Sequence, residues 1–183
     1  MTNAALILVD IQNDYFEGGS WPLDRMDLAS AKASKILQHA RDHGIKMVHI
    51  HHESLSDNAP FFKPGTKGAE IHASVAPLAE EEVILKHFPN SFHKTGLHES
   101  LQSNGIKRLI IIGAMSQICI DATTRAASDL GYDVTVIHDA CAAKETEFKG
   151  VTVPAAQVHA SFMSALNGTY AAVVDCESYF AAS

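Results

Sequence analysis

Cysteine is scarce in this chain: Cys119, Cys141 and Cys176 are the only three among 183 residues. An odd number at these separations excludes a disulfide-stapled fold, a paired zinc knuckle and a C-x-x-C redox centre, so free thiols are expected. Charge is sparse too, at 19% of residues, with 14 basic against 21 acidic side chains and no long block of like sign. A formal net charge of −7 without a basic stripe tells against nucleic acid or an anionic membrane surface as partner and favours a small neutral or cationic ligand. No apolar run reaches membrane-spanning length, and residues 1–10 lack the basic start of a signal peptide, so the expected location is cytoplasmic. Gly113 is not followed by the glycine spacing of a dinucleotide turn, so no nicotinamide or flavin cofactor is implied. Repeats and low-complexity tracts are absent as well. The length suits a single domain, 1–183, that buries roughly 70% of its unfolded surface.

What is present alternates. Apolar runs of strand length at 4–9, 46–50, 82–85, 108–112, 133–137 and 171–174 are separated by helical patterns. Most lack polar alternation, as strands covered on both faces should. Met26, Ala29, Ala33, Ile36, Leu37 and Ala40 share one helical face, and Gly44 stands where a C-cap belongs. Further helices are expected near 97–103, 119–130 and 153–166, each ended by Gly or Asn-Gly. The pattern predicts an α/β fold, a three-layer αβα sandwich with a mainly parallel, Rossmann-like sheet. The one long irregular segment, about 52–81, contains Pro60, Pro64, Gly65 and Gly68 and is expected to wall a functional site.

Residues 109–127 read as a buried strand, a tight turn and a helix beginning at Cys119. A helix's first turn presents unpaired N–H groups and the positive end of its dipole, which would favour thiolate over thiol. An inert packed cysteine is the competing reading of that segment alone. In open parallel sheets ligands bind beyond the carboxyl ends of the strands. Asp10 ends the first strand, Lys86 the third, and Cys119 follows the fourth, so a carboxylate, an amine and a thiol gather at one sheet edge. Singly, each could be a cap, a solvated lysine or core packing. Their convergence points to a site. Cys141 and Cys176 read as packing.

Three motifs resemble those of the isochorismatase-like cysteine hydrolases, which include nicotinamidases and N-carbamoylsarcosine amidases. They are Asp10-Ile11-Gln12-Asn13-Asp14-Tyr15-Phe16, Lys86-His87-Phe88-Pro89-Asn90-Ser91-Phe92, and Gly113 through Cys119 followed by Ala126-Ala127 and Gly131-Tyr132. The resemblance spans nearly the whole chain. It implies that Asp10, Lys86 and Cys119 form a catalytic triad and that the sheet is six-stranded with helices on both sides. It also implies a cis peptide between Ala114 and Met115, with the amides of Met115 and Cys119 forming an oxyanion hole. Ser116 replaces the threonine common in relatives but keeps the hydroxyl. The activity implied is hydrolysis of an amide, carbamoyl or cyclic amide C–N bond through a thioester.

Two other functions compete with it. Isochorismatase proper hydrolyses a vinyl ether, and the members that do so typically carry a small residue where Cys119 stands. A redox-sensing or ligand-binding thiol protein would not need Asp10 and Lys86. Some nicotinamidase relatives hold a metal through Asp-x-His and a further histidine. Here the corresponding stretch is His49-Ile50-His51-His52-Glu53, with His72 downstream, so His51, His52 and His72 are weak candidate ligands and no metal is expected. Tyr15, Phe16, Trp21, Phe61, Phe62, Phe88 and Phe92 lie in loops after strands and would line a substrate pocket or a subunit contact. Gln12 and Asn13 could bind a substrate amide or cap the turn. The family commonly forms dimers or tetramers, so a homodimer or homotetramer is expected.

Overall fold

The computed structural model describes residues 3–56 and 58–182. Six parallel strands, β1 (Ala4–Val9), β2 (Lys46–His52), β3 (Glu82–Lys86), β4 (Arg108–Ala114), β5 (Asp133–Ala142) and β8 (Ala172–Val174), form one sheet in the order β3-β2-β1-β4-β5-β8. The order reverses between β1 and β4, the crevice where a sheet of this kind offers a site.

Alternate residues of the central strands face opposite layers. Leu6, Leu8, Ile110 and Ile112 pack with Ala33, Ile36 and Leu37 of α1 (Met26–Asp42) and with Cys176 of α5 (Cys176–Ala181). Ala5, Ile7, Val9, Ile111 and Val136 pack with Leu97 and Leu101 of α2 (Leu97–Ser103), Ala127 of α3 (Asp121–Asp129) and Met163 of α4 (Ala155–Leu166). The result is the expected three-layer αβα sandwich, its unbroken apolar strands explained by helices on both faces. Among the described residues no helix is long and apolar enough to cross a membrane.

Several elements differ from the sequence expectation. The helix expected from Cys119 begins instead at Asp121, and residues Ser116–Ile120 form a π turn that carries the cysteine. β5 runs to Ala142 rather than 137, because its pairing with β4 skips residues: Ile111 is opposite Val136 but Gly113 is opposite Cys141. A small antiparallel hairpin, β6 (Thr146–Phe148) and β7 (Val151–Val153), was not anticipated. Its signal is Lys149-Gly150, both at positive φ, as a two-residue hairpin turn requires. Helix α5 is likewise additional, capped by the Asp175 side chain accepting from the Ser178 amide at 2.7 Å.

Below the site, Glu81 closes the junction of α1, β2 and β3. Its buried carboxylate takes a two-pronged contact from Arg41 (2.7 and 2.9 Å), lies 3.0 Å from His49 Nε2, and accepts from the Leu78 amide at 2.9 Å. The Arg41 guanidinium, helped by Leu78 and His49 and opposed by burial, holds the carboxyl down at about 2. A depressed carboxyl stabilises the fold above its unfolded pKa and loses that contribution as pH falls through the folded value. Urea midpoints should therefore drop between about pH 4.5 and 2, by about 3 kcal/mol in stability for this group. Glu81→Gln should be less stable at pH 7 and show a flatter acid slope; an unchanged slope would contradict this role.

Candidate active site

Asp10 is the first residue past β1, and its amide extends the pairing by donating to Ile50 O at 3.1 Å. It sits at φ 52°, a left-handed conformation that aspartate tolerates better than most residues, and this turns its carboxylate inward at 0% exposure. Lys86 ends β3 and is equally buried. Its Nζ lies 2.8 Å from Asp10 Oδ2 and donates to Cys119 Sγ at 3.3 Å and to Phe88 O at 3.0 Å. Asp10, His52 and Cys119 each offer a ligand-type atom, and these atoms lie within 4.8 Å of one another. The carboxylate, amine and thiol expected at one sheet edge are thus gathered there.

Burial alone would raise the Asp10 carboxyl; the Lys86 charge above all outweighs it and holds the group ionised, below its ordinary value. Burial would likewise neutralise Lys86, but the Asp10 charge keeps its pKa raised. For Cys119, burial and the adjacent Asp10 carboxylate push the thiol well above its ordinary value against the pull of Lys86. This corrects the expectation of a dipole-stabilised thiolate. The resting centre is thiol, carboxylate and ammonium, a net-neutral cluster in which only one buried anion needs a cation.

The turn carrying Cys119 is pinned from two sides. The peptide between Ala114 and Met115 is cis. Ser116 Oγ donates to Ala142 O at 3.1 Å and receives His159 Nδ1–H at 2.9 Å, so the serine hydroxyl does hold the turn. Gln117 Nε2 donates to Lys144 O at 3.2 Å. Gly113 lies so close to β1 that a Cβ there would stand 2.0 Å from Val9 O.

The long segment after β2 folds back over the end of β1. Two short 3₁₀ turns, Lys67–Ala69 and Ala73–Val75, interrupt it. Asp14, which sequence reasoning passed over, anchors this cover: its carboxylate accepts from the Phe62 amide at 2.7 Å and the Ser20 amide at 3.1 Å. Gly68 packs against the same carboxylate, leaving no room for a side chain. Buried carboxylates in loops are the signal for such an anchor, but burial is not legible from one sequence.

Gln12 is placed otherwise than as a substrate ligand. Its amide is consumed by protein contacts, with Nε2 donating to His52 O and Ala69 O at 2.9 and 2.6 Å and Oε1 accepting from the His52 amide at 2.8 Å. Tyr15 and Phe62 are each 1% exposed and pack on one another and on Phe61, so they are core beneath the cover rather than an open pocket wall. Burial above all, with the Asp10 charge nearby, raises the Tyr15 hydroxyl well above its ordinary value, so it stays neutral. Trp21 stacks on Phe61 and Phe16 on His72, both half-buried at the rim of that cluster. Phe92 stacks on Tyr132 and meets His98 edge-on, on the α2 side of the sheet.

The histidines do not assemble the ligand set known from metal-bearing relatives. His51 Nε2 lies 2.8 Å from Ala69 O, and His72 Nδ1 takes the Ser74 contacts. Only His52 joins Asp10 and Cys119, and the space between those three is taken by the Lys86 ammonium. A catalytic metal therefore does not fit the residues present. Cys141, pushed up to about 12 by burial, and Cys176, at the start of α5, are buried thiols away from this centre.

Comparison with known proteins identifies the family and the fold. The family model described as the isochorismatase domain matches residues 4–166. The chain is 46% identical to the isochorismatase family protein YddQ of Bacillus subtilis (strain 168), over 96% of this chain and 97% of that one. A crystal structure from Oleispira antarctica is 51% identical, covers 97% of this chain and 96% of its own, and superposes with a TM-score of 0.94. A streptothricin hydrolase of Streptomyces noursei is 33% identical over 74% of this chain and 48% of its own length. Matched by the isochorismatase domain over residues 4–166 and built on the same fold, this chain belongs to the isochorismatase family of hydrolases.

Proposed function

We propose that the protein hydrolyses a C–N bond at an sp² carbon of a small molecule (an amide, carbamoyl or cyclic amide) through a thioester on Cys119. The observation that carries this reading is the contact of one ammonium with both a buried carboxylate (2.8 Å) and a buried thiol (3.3 Å). Asp10 takes the thiol proton as Sγ bonds to the carbonyl carbon, the C=O π pair moves onto its oxygen, and the negative charge passes from the carboxylate through sulfur to that oxygen beside a fixed Lys86. No net charge is created in the buried centre, which is why a raised thiol and a lowered carboxyl can still exchange a proton during attack. The amides of Met115 and Cys119 are the proposed donors to the tetrahedral oxygen, a role in which one lost donor costs roughly 3 kcal/mol.

As the intermediate collapses, the C–N bond breaks and the nitrogen leaves with the proton from Asp10. Water then adds to the thioester carbon, giving its proton to Asp10, and the thiol is restored when the acid departs. The streptothricin hydrolase relative supports hydrolytic chemistry in this family. A redox-sensor role fits poorly, because sensing thiols are exposed and acidic whereas Cys119 is 2% exposed and its thiol is raised.

The test is an ammonia-release screen over primary amides, carbamoyl and ureido compounds, with mass spectrometry following ring opening of cyclic amides. At least one class should turn over, insensitive to chelator, with the acyl mass trapped on the Cys119 peptide. Turnover with no acyl adduct at Cys119 under rapid quench, or peroxide oxidation as the thiol's sole reaction, would overturn the reading.

A further inference from the structure

We infer that His52 is a positioning residue for this centre, a neutral imidazole that holds the Lys86 ammonium aimed at the sulfur. This deepens the C–N hydrolysis reading and rests on it for its kinetic consequence.

Four acceptors surround Lys86 Nζ, which has three hydrogens: Asp10 Oδ2 at 2.8 Å, Phe88 O at 3.0 Å, His52 Nδ1 at 3.1 Å and Cys119 Sγ at 3.3 Å. An ammonium can only donate, so the contact fixes His52 as the tautomer with Nδ1 bare and the proton on Nε2. Phe88 O and His52 Nδ1 then take two hydrogens, and the third is left for sulfur while Asp10 stays an ionic neighbour. Without the Nδ1 acceptor the freed hydrogen turns to Asp10, the strongest acceptor in reach. The carboxylate would then be held more tightly as an anion, making it a weaker base, and the nascent thiolate would lose part of its counter-charge.

The ring is itself well held. His52 lies directly opposite Lys86 in the β2–β3 ladder, and its backbone N–H and C=O are both clasped by the Gln12 side chain. Its ring sits 5.7 Å from that of Phe62. Of the four polar side chains in the cluster, His52 alone reaches solvent appreciably, at 15% side-chain exposure against 0% for Asp10 and Lys86. The titratable groups facing it are Asp10 from the end of β1, Lys86 from β3 and Cys119 from the turn after β4. A protonated ring would set a second cation 3.1 Å from the ammonium and point Nδ1–H at Asp10 Oδ2, 3.5 Å away. Only the neutral form leaves the base free.

Two measurements on the full-length protein test this. Long-range ¹H–¹⁵N NMR of the wild type at neutral pH should find His52 neutral with Nδ1 unprotonated; a proton on Nδ1 overturns the inference whether or not any substrate has been found. In the ammonia-release assay, His52→Phe should lose about 100-fold in kcat with little change in KM, the scale of an ångström's misplacement. His52→Asn, whose Oδ1 can stand in for Nδ1, should stay within about tenfold of wild type, again with little change in KM. Equal loss in the two variants, or full activity in His52→Phe, would overturn the inference. Failure of the wild type to cleave any C–N substrate would instead overturn the reaction, and the tautomer measurement keeps the two failures apart.

Discussion

Cys119→Ala is expected to cut turnover by roughly 10⁴-fold or more, the scale seen when a nucleophile is removed from a cooperating set. The fold should barely notice. The side chain is 2% exposed, but the loss is one sulfur atom, and the Asp10–Lys86 pair stays intact at 2.8 Å. Denaturation midpoints should therefore stay within about 1 kcal/mol of wild type, in the range of an ordinary small truncation. Asp10→Asn makes an instructive contrast. It removes the proton acceptor and also leaves the Lys86 ammonium buried without its counter-ion, so activity and stability should fall together, the latter by about 3–5 kcal/mol. The pair of variants separates chemistry from charge balance: alanine at 119 affects only rate, asparagine at 10 affects both. Retention of C–N hydrolysis by folded Cys119→Ala would rule out the thioester route.

Gly113→Ala should be the most damaging single substitution outside the chemical groups. Its backbone stands at φ 125°, and a Cβ would be 2.0 Å from Val9 O and 2.8 Å from Val9 C. Both atoms are backbone in the central strand, so neither can rotate away as a side chain could. To admit the methyl, β1 and β4 must part at the crevice where Asp10 and the Cys119 turn face each other. A loss of about 4 kcal/mol or more is expected, at the extreme of single substitutions, with activity lost alongside. Gly150→Ala is the control: its φ is also positive, at 81°, but nothing lies within 4 Å of the added carbon. That change should cost about 1 kcal/mol, the price of a strained turn alone. Equal midpoints for the two variants would show that close approach to β1 is not what requires glycine at 113.

The fold class and the gathering of Asp10, Lys86 and Cys119 at one sheet edge were legible from sequence because each depends on local pattern and the rule for parallel sheets. Apolar runs in β1, β4 and β5 read as doubly covered strands, and they are. The topological rule for parallel sheets then brings the residues after β1, β3 and β4 to one edge whatever the loops do. Asp10, Lys86 and Cys119 announce themselves through such positions. Long-range pairing hid the rest. The skip in β4–β5 pairing lengthened β5, and nothing in 133–142 by itself shows where a partner strand will shift. Gln12 looked like a substrate ligand because an amide after a strand is suited to that task; its actual partners, His52 and Ala69, are 40 and 57 residues away. Tyr15 and Phe62 looked like pocket lining because they sit in loops, yet the cover folds them into the core.

By itself the sequence determined the layer architecture, the identity of the carboxylate, amine and thiol, and the sheet edge at which they meet, since periodicity and the strand-end rule for parallel sheets need no distances. Tertiary structure alone decided their surroundings: complete burial and the adjacent Asp10 anion push the Cys119 thiol up, against the pull toward thiolate expected at a helix N-terminus. It also decided that His52, one histidine among eleven, touches the ammonium while His51 and His72 are spent on Ala69 and Ser74. Neighbouring residues on a strand point to opposite faces, so a one-residue difference separates a group inside the centre from one that ties down a loop.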